Sequence, residues 1–284
     1  MTRKSRFFPG KHASWIAAIL IPFLWLCWVR MEASQAHSEI ENDGYYHAMM
    51  ADLFPEVCTA RTFPYLTMSV WKDRFYDKEL LYHAALAGMR RYSQALGLSL
   101  APPFHVPALT FSLLVIASFV VAAGSWKIPR LPLFTILLVA VSPTFTYHLL
   151  MLRPHNLAVA LMLLYCWQIL RINDARRLWV PAVFGFLFAY AYSNPHVVLA
   201  PAFLYGAILY RKNRSLAFQI PLATLGGLLA GFILHPQFPN TFFIWKIQSI
   251  DVLAQAFSPK AAVYVGEELG GADRAWIVEN LGLL

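Results

Sequence analysis

The sequence contains seven long apolar runs, and this pattern restricts the fold more than any other feature. A helix that crosses a bilayer needs about 20 mostly apolar residues, and each run comes close to that length. Only 13% of the 284 residues are charged, half of the roughly 25% usual in a soluble domain. We therefore predict an all-α, polytopic transmembrane helix bundle with about seven spans. The runs are Ser14–Val29, Pro107–Gly124, Leu131–Tyr147, Pro154–Leu170, Leu178–Tyr192, Pro195–Tyr210 and Leu216–Leu234.

The charges in the breaks between these runs predict the side on which each break lies. Alternate breaks, beginning with the N-terminal tail, hold twelve Lys or Arg and one acid, Asp174. The other breaks hold the remaining eleven basic residues and fourteen acids. Because short basic loops mark the cytoplasmic side, we expect a multi-pass integral membrane protein with a cytoplasmic N-terminus. The same basic residues form no single stripe, so no nucleic-acid partner is expected.

This topology divides the chain into three parts. Residues 1–13 are predicted to be a cytoplasmic tail, and residues 14–240 a transmembrane domain whose long loop, 31–105, lies on the outer (periplasmic or extracellular) side. Residues 241–284 are predicted to be an outer amphipathic segment, which leaves open that the sequence is a fragment. A cleaved signal peptide is the alternative for the first run, but its Trp-rich core argues against cleavage.

Amphipathic helices are predicted within the long loop. Tyr45–Phe54 fits a short helix, and Phe75–Leu96 has apolar residues at helical spacing. The predicted apolar face of the second helix is Leu81, Ala85, Gly88, Met89, Tyr92 and Leu96. We expect this helix to lie on the membrane surface or to pack on the bundle.

The segment from Ile40 to Ala48, with the sequence IENDGYYHA, is the main candidate for chemistry. Glu41 and Asp43 are two positions apart and are followed by two tyrosines and a histidine. Such a carboxylate can accept a proton from an attacking hydroxyl as general base, or the pair can bind a divalent cation through oxygen. The simpler alternative is that the acids are solvated and cap the next helix.

The stretch Glu41-Asn42-Asp43-Gly44-Tyr45-Tyr46-His47 resembles the acidic motif in the first outer loop of the GT-C superfamily of membrane glycosyltransferases. Oligosaccharyltransferase catalytic subunits, with an acid-x-Asp-x-aromatic-aromatic pattern, are the nearest likeness, and protein mannosyltransferases have a related motif. The segments 76–83 and 153–155 are also similar to parts of this superfamily. The resemblance implies a polyprenyl-phosphate-linked sugar as donor, Asp43 as the catalytic carboxylate and Glu41 as its partner.

Two departures from that family affect the prediction of cofactors. The turn Thr144–Asn156 contains no acid, whereas oligosaccharyltransferases have a second acidic motif in a later outer loop. Their C-terminal soluble domain, with its tryptophan-rich acceptor motif, is also absent from this sequence. We therefore expect a transferase without a metal cofactor, although a divalent cation at Glu41 and Asp43 remains an alternative.

Three outer turns share a Pro beside a His and suggest an anion site. They have the sequences Arg153-Pro154-His155, Asn194-Pro195-His196 and His235-Pro236-Gln237. In the first two, Pro occupies a position that helix starts favour, and the free N–H groups of a helix start attract anions. Arg153 adds a cation whose shape matches phosphate. The alternative is that these residues only punctuate the helices, and a zinc site lacks HxxxH spacing.

Together these features predict transfer of a sugar from a polyprenyl-phosphate carrier to an acceptor hydroxyl on a glycan, lipid or protein. Asp43 and Glu41 are the predicted catalytic residues. The predicted substrate-binding residues are Tyr45, Tyr46 and His47 around the sugar, with His83, Arg153, His155, Asn194 and His196. The alternatives are a transporter or flippase of a lipid-linked or anionic substrate, and a non-catalytic membrane subunit. The lack of charges inside the seven runs counts against a transporter.

Overall fold

The computed structural model describes residues 11–34, 38–97 and 101–256, and this part of the chain is helical without any strand. The α-helices are α1 (Lys11–Ala33), α2 (Asp43–Asp52), α3 (Phe54–Val57), α4 (Leu80–Ala95), α5 (His105–Ser125), α6 (Leu131–Ala140), α7 (Pro143–Leu150), α8 (His155–Ile169), α9 (Trp179–Ala191), α10 (Leu199–Leu209), α11 (Arg214–Leu234), α12 (Asn240–Lys246) and α13 (Val252–Ala256). Short 3₁₀ turns lie at Val70–Lys72, Ala175–Arg177 and Pro195–Val198, and a π-helical turn joins α12 to α13.

All seven apolar runs are helical, but their lengths differ. In the described residues, α1, α5 and α11 are long and apolar enough to cross a membrane. At about 1.5 Å per residue, the 21 residues of α5 span about 31 Å, close to the hydrocarbon thickness of a bilayer. The fourth candidate is the pair α6 and α7, which bends by 87°. Helices α8 and α10 are shorter, so three or four spans are supported by length.

The bend between α6 and α7 has a local cause. Ser142 is the N-cap of α7, and its hydroxyl accepts a hydrogen bond from the backbone N–H of Phe145. Pro143 follows at the first helical position, where Pro is tolerated, although it interrupts a helix that arrives from before it. The predicted single span Leu131–Tyr147 is therefore two helices.

The backbones of α9 and α11 approach each other closely, and glycines on α11 leave the space for this approach. A Cβ on Gly227 would lie 2.6 Å from the carbonyl carbon of Ala182. A Cβ on Gly231 would lie 2.6 Å from Ala189 Cβ. Small residues at such positions allow two helix backbones to approach closely. This contact holds the second half of the bundle together, while α1, α5, α6 and α7 surround a separate apolar core.

The segment between α1 and α5, here called the first loop, packs on one end of the bundle. Helix α4 begins at Leu80, five residues later than predicted, because Phe75, Tyr76 and Asp77 form an extended, buried stretch. Helix α2 confirms the short predicted helix. The predicted face of α4 is confirmed only in part, since Ala85 and Met89 pack against a buried cluster but Gly88, Tyr92 and Leu96 are exposed. Its buried residues are Leu80, Tyr82, His83, Leu86, Ala87 and Ser93.

A buried ion pair anchors the start of the first loop. Arg30, at the end of α1, donates from Nη2 to both carboxylate oxygens of Glu39, at 2.7 and 2.8 Å. Glu39 also accepts the backbone N–H of Phe104 at 2.9 Å, and Arg30 donates to the carbonyl of Leu150. The two charged side chains are fully buried. Four separate segments of the chain therefore meet at one ion pair.

The turn after α11 anchors the other end of the first loop. The fully buried Gln237 accepts the backbone N–H of Asp77 at 2.7 Å and donates to the carbonyl of Val57 at 2.8 Å. The ring of His235 lies against those of Tyr76 and Tyr190. These contacts place the turn after α11 at the same end of the bundle as the first loop.

Parts of the predicted domain boundaries lie outside the described residues. These parts are residues 1–10 of the predicted tail and residues 257–284 of the predicted outer segment. The described beginning of that segment forms α12 and α13.

Candidate functional site at the first loop

Three charged residues from distant parts of the chain meet beside α2. Arg153 donates to Glu41 through Nε, 2.6 Å from Oε1, and through Nη2, 2.5 Å from Oε2. Arg153 Nη2 also lies 2.7 Å from Asp43 Oδ2. Glu41 and Arg153 are 112 residues apart in the sequence. The pairing with Glu41 is bidentate, the geometry in which a guanidinium binds a carboxylate most strongly.

The two carboxylates of this cluster differ in their environments. The Glu41 side chain is 10% exposed, whereas that of Asp43 is 57% exposed. Burial raises the pKa of Glu41 even though Arg153 opposes the shift. Asp43, the first residue of α2, is therefore the carboxylate that a molecule arriving from outside the protein can reach.

The turn between α7 and α8 holds Arg153 in place. Asn156 is buried, and its side-chain amide donates to the carbonyls of His148, Leu149 and Met151 at 3.1–3.2 Å. These bonds satisfy carbonyl groups that the end of α7 leaves without helical partners. Pro154 is the N-cap of α8, one position earlier than the predicted first helical position.

A second cluster, buried beneath the first, is built around two histidines. His47 Nδ1 lies 2.9 Å from His83 Nε2, and His83 Nδ1 lies 2.9 Å from both carboxylate oxygens of Asp77. His47 is on α2, His83 is on α4, and Asp77 is in the extended stretch before α4. We call His47, Asp77, Glu79 and His83 the histidine cluster.

Glu79 completes this cluster from the start of α4. It is 6% exposed, and burial raises the pKa of its carboxyl group. Its side chain forms a hydrogen bond with Ser193, in the turn after α9. Glu79 and His83 are four residues apart, a spacing that places two side chains on the same face of a helix. The turn after α9 therefore reaches the histidine cluster.

The pKa values of the two histidines are shifted in opposite directions because different charges surround them. Burial lowers the pKa of His47 to about 2, and the nearby charges of His83, Arg153, Lys78 and His155 act in the same direction. Burial also disfavours the charged form of His83, but Asp77 and Glu79 outweigh it and raise the pKa of that ring. The influence of Arg153 on His47 shows that the two clusters adjoin.

The tyrosines that follow Asp43 have different surroundings. Tyr45 is 41% exposed, and its hydroxyl accepts the backbone N–H of Glu39 at 2.9 Å. Tyr46 lies with its ring 5.0 Å from that of His47 and 6.0 Å from that of His83. Burial, followed by the charges of Glu79, Asp77 and Asp43, raises the pKa of Tyr46. The Tyr46 ring therefore packs against the two histidines of the histidine cluster.

The outer turns contribute unequally to this region. His155 follows Arg153 by two residues, and its Nε2 lies 2.8 Å from the carbonyl oxygen of His148. Asn194 is exposed, next to the Ser193 that bonds Glu79. His196 has another partner, because the indole N–H of Trp245 donates to its Nδ1 at 3.3 Å. His155 and His196 therefore have different partners, the carbonyl of His148 and the indole of Trp245.

Two residues of the site were missed by the sequence interpretation. Asp77 and Glu79 were quoted within a family-like segment, but neither received a role. The spacing of Glu79 and His83 was a usable signal, since side chains four residues apart at a helix start are neighbours. A search limited to pairs of histidines does not detect this pair.

No protein-family model, no curated protein and no solved structure matches this chain. Its function therefore has to be argued from the two clusters and from the helices that hold them.

Proposed function

We propose that this protein is a GT-C-like membrane glycosyltransferase that moves a sugar from a polyprenyl-phosphate carrier to an acceptor hydroxyl. The observation that supports the proposal most is the meeting of Glu41, Asp43 and Arg153 at one end of the bundle. The acidic motif suggested a base, and the turn before α8 suggested a phosphate ligand. Their separation along the chain gave no reason for contact, so their meeting agrees with a shared role.

In the proposed reaction, Asp43 accepts the proton of the acceptor hydroxyl. The hydroxyl oxygen forms a bond to the anomeric carbon, and the bond between that carbon and the carrier phosphate oxygen breaks. The products are the glycosylated acceptor and the polyprenyl phosphate, and the proton passes from Asp43 to water. General base catalysis of this kind contributes about 10²–10⁴-fold.

Arg153 and His155 are proposed to hold the carrier phosphate. The planar guanidinium of Arg153 can bind two phosphate oxygens as it binds Glu41. In the free protein the same guanidinium is shared with Asp43. A phosphate that draws Arg153 towards itself would release Asp43 from that pairing. The bound donor would then free Asp43 to accept the proton of the acceptor hydroxyl, whose oxygen attacks the anomeric carbon.

Tyr45, Tyr46 and His47 are proposed to line the sugar subsite, because they follow Asp43 on α2. His83 is proposed to support His47 from below, at 2.9 Å. Asn194 and His196 are proposed to lie at the edge of the substrate path, in the turn whose Ser193 bonds Glu79.

The proposal includes the membrane topology. All seven apolar runs are proposed to lie in the bilayer, with the N-terminus in the cytoplasm and the first loop on the outer side. Contacts at Arg30, Arg153, Ser193 and Gln237 bring the turns at 150–155, 193–196 and 235–240 to the first loop. These are the turns assigned to the outer side by charge. The shorter helices then cross at a thinner or more sheltered part of the bundle.

The test compares Asp43→Asn with Asp52→Asn, which alters the other end of the same helix. Asp52 pairs with Arg90 at the surface, with the carboxylate side chain 51% exposed, so its loss costs about 0–1 kcal/mol. The assay measures release of labelled sugar from a panel of polyprenyl-phosphate sugars in proteoliposomes. Asp43→Asn should lose about 10²–10⁴-fold in rate, while Asp52→Asn should retain the wild-type rate.

Two results would contradict this proposal. One is an Asp43→Asn variant that transfers sugar at the wild-type rate. The other is a correctly folded wild-type protein that releases sugar from no donor in the panel. Arg153→Gln provides a separate test of the phosphate role. It should raise the KM for the donor, whereas Arg90→Gln, which alters only the surface pair with Asp52, should leave KM unchanged.

A further inference from the structure

The histidine cluster contains three side chains with the donor atoms of a metal site. One ligand atom from each of His47, Glu79 and His83 lies within 4.8 Å of the others. The three residues are 4%, 6% and 0% exposed. Burial of two imidazoles and a carboxylate away from water is costly unless they have partners, and a bound cation is one partner that satisfies all three.

We propose that His47, Glu79 and His83 bind one divalent transition-metal ion of the Zn²⁺ type. Zinc binds histidine nitrogen at 2.0–2.1 Å in a tetrahedron, which places neighbouring ligand atoms roughly 3.3 Å apart. His47 Nδ1 and His83 Nε2 are 2.9 Å apart. The two nitrogens would therefore have to move apart by a few tenths of an ångström to bind the same ion, and small side-chain rotations are enough for that.

Asp77 prepares His83 for this role. Metal-binding histidines almost always donate their other ring N–H to a carboxylate or carbonyl. His83 Nδ1 lies 2.9 Å from Asp77, so a neutral His83 that donates there presents the lone pair of Nε2 towards His47. Asp77 is itself held by the backbone N–H of Glu79, at 3.1 Å. The second contact needed to orient a histidine ligand is therefore already in place.

The ligand set also indicates which metals fit. Two imidazole nitrogens and one carboxylate suit zinc, iron or another first-row transition ion, whereas Mg²⁺ and Ca²⁺ prefer oxygen ligands alone. Three protein ligands leave at least one coordination position for water or another molecule, as in catalytic rather than structural zinc sites. The site is distinct from the Glu41–Asp43 pair, whose carboxylates are occupied by Arg153.

Metal binding and the present hydrogen bond exclude each other. Without metal, one ring N–H between His47 Nδ1 and His83 Nε2 links the two histidines, and the other ring nitrogen of His83 lies at hydrogen-bond distance from Asp77. A metal ion bound by both rings takes the place of the proton between them. The cluster can therefore exist in two well-satisfied states that differ by one ion.

The test measures metal content and affinity, and it does not depend on transferase activity. The full chain is purified with an affinity tag that lacks histidine, stripped with a chelator, and titrated with Zn²⁺, Fe²⁺ or Co²⁺ as probes. We expect about one ion per chain and a Co²⁺ spectrum typical of nitrogen and oxygen ligands. His83→Gln and Glu79→Gln should abolish stoichiometric metal binding. The control, His196→Gln, should retain it, because the ring of His196 contacts Trp245 and not the cluster.

Asp77→Asn tests the orienting contact, and it should lower affinity by about 10–100-fold without changing stoichiometry. If His83→Gln fails to fold, X-ray absorption of the metal-loaded wild-type protein still decides the matter. A spectrum that shows two imidazole ligands and no sulfur ligand would support the site. Sulfur ligands, no stoichiometric ion in the wild type, or full binding by a folded His83→Gln protein would overturn it. Asp43→Asn should bind metal normally, so failure of the metal site and failure of the transferase proposal are distinguishable.

Discussion

Replacing Gly227 with Ala tests the packing of α11 on α9, the helix that leads into the turn with Ser193. The new Cβ would lie 2.6 Å from the carbonyl carbon and 2.8 Å from the Cα of Ala182 on α9. Ordinary contact begins at 3.4 Å, so the methyl group is 0.6–0.8 Å too close to these two backbone atoms, and it overlaps the carbonyl oxygen of Ala182 even more. Relief requires that α9 and α11 move apart, because no side chain can rotate out of the way.

Gly226 provides a matched control on the same helix. A Cβ there meets no atom within 4 Å. Both substitutions gain the same helix propensity, about 1 kcal/mol for Ala over Gly, so this gain cancels in the difference between them. That difference is the overpacking cost alone, about 1–3 kcal/mol in well-packed interiors.

The assay is equilibrium unfolding in detergent micelles. Increasing amounts of a denaturing detergent unfold the protein, and tryptophan fluorescence monitors the transition. Gly226→Ala should be as stable as wild type or more stable, and Gly227→Ala should be less stable than Gly226→Ala by about 1–3 kcal/mol. Equal stability of the two variants would refute the close approach of α9 and α11. It would also remove the support for the position of the turn after α9, which carries Ser193.

Two further predictions concern anchors of the first loop. Glu39→Gln leaves the buried Arg30 without its carboxylate, and it should lower the free energy of unfolding by about 3–5 kcal/mol, the cost of losing one partner of a buried pair. The control, Glu32→Gln at an exposed position, should change the free energy of unfolding by less than about 0.5 kcal/mol. Similar values for both variants would contradict the buried pair. Burial lowers the pKa of His235 to about 4 although Asp77 opposes the shift, so the unfolded chain takes up a proton that the folded chain refuses. The free energy of unfolding is therefore unaffected by His235 above its ordinary pKa of 6.5. Below that pH it decreases towards pH 4, by at most about 3 kcal/mol. His235→Gln should reduce the slope of stability against pH in that window by about one proton, and an unchanged slope would refute the assignment.

Much of the secondary structure followed from the sequence because helix formation and helix ends depend on neighbours within a few residues. The apolar runs became helices, and α2 begins at Asp43, two residues before the predicted start at Tyr45. Pro195 occupies the first helical position of the turn after α9. The bend at Pro143 was readable in principle, since Ser-Pro is a helix-start signal, but the continuous hydropathy across it hid the break.

The buried face of α4 shows where local reasoning failed. Apolar spacing assigned the face to residues that include Leu81 and Met89, and it gave no signal that His83 would be buried. In the structure His83 is fully buried, since Asp77 and His47 satisfy both ring nitrogens. A polar residue with partners at both ends can be buried as readily as an apolar one, and the partners are not visible in a window of the sequence.

Only the tertiary structure brought the candidate site together. The sequence by itself determined that the chain is helical and apolar, and it marked Asp43 and Arg153 as unusual residues. It could not place Arg153 against Glu41, because a contact across 112 residues depends on how α1, α5, α7 and α8 pack. The same packing places α2 against α4, and so brings His47 within 2.9 Å of His83. Local preference determines which residues form a helix, and the packing of helices determines which side chains meet.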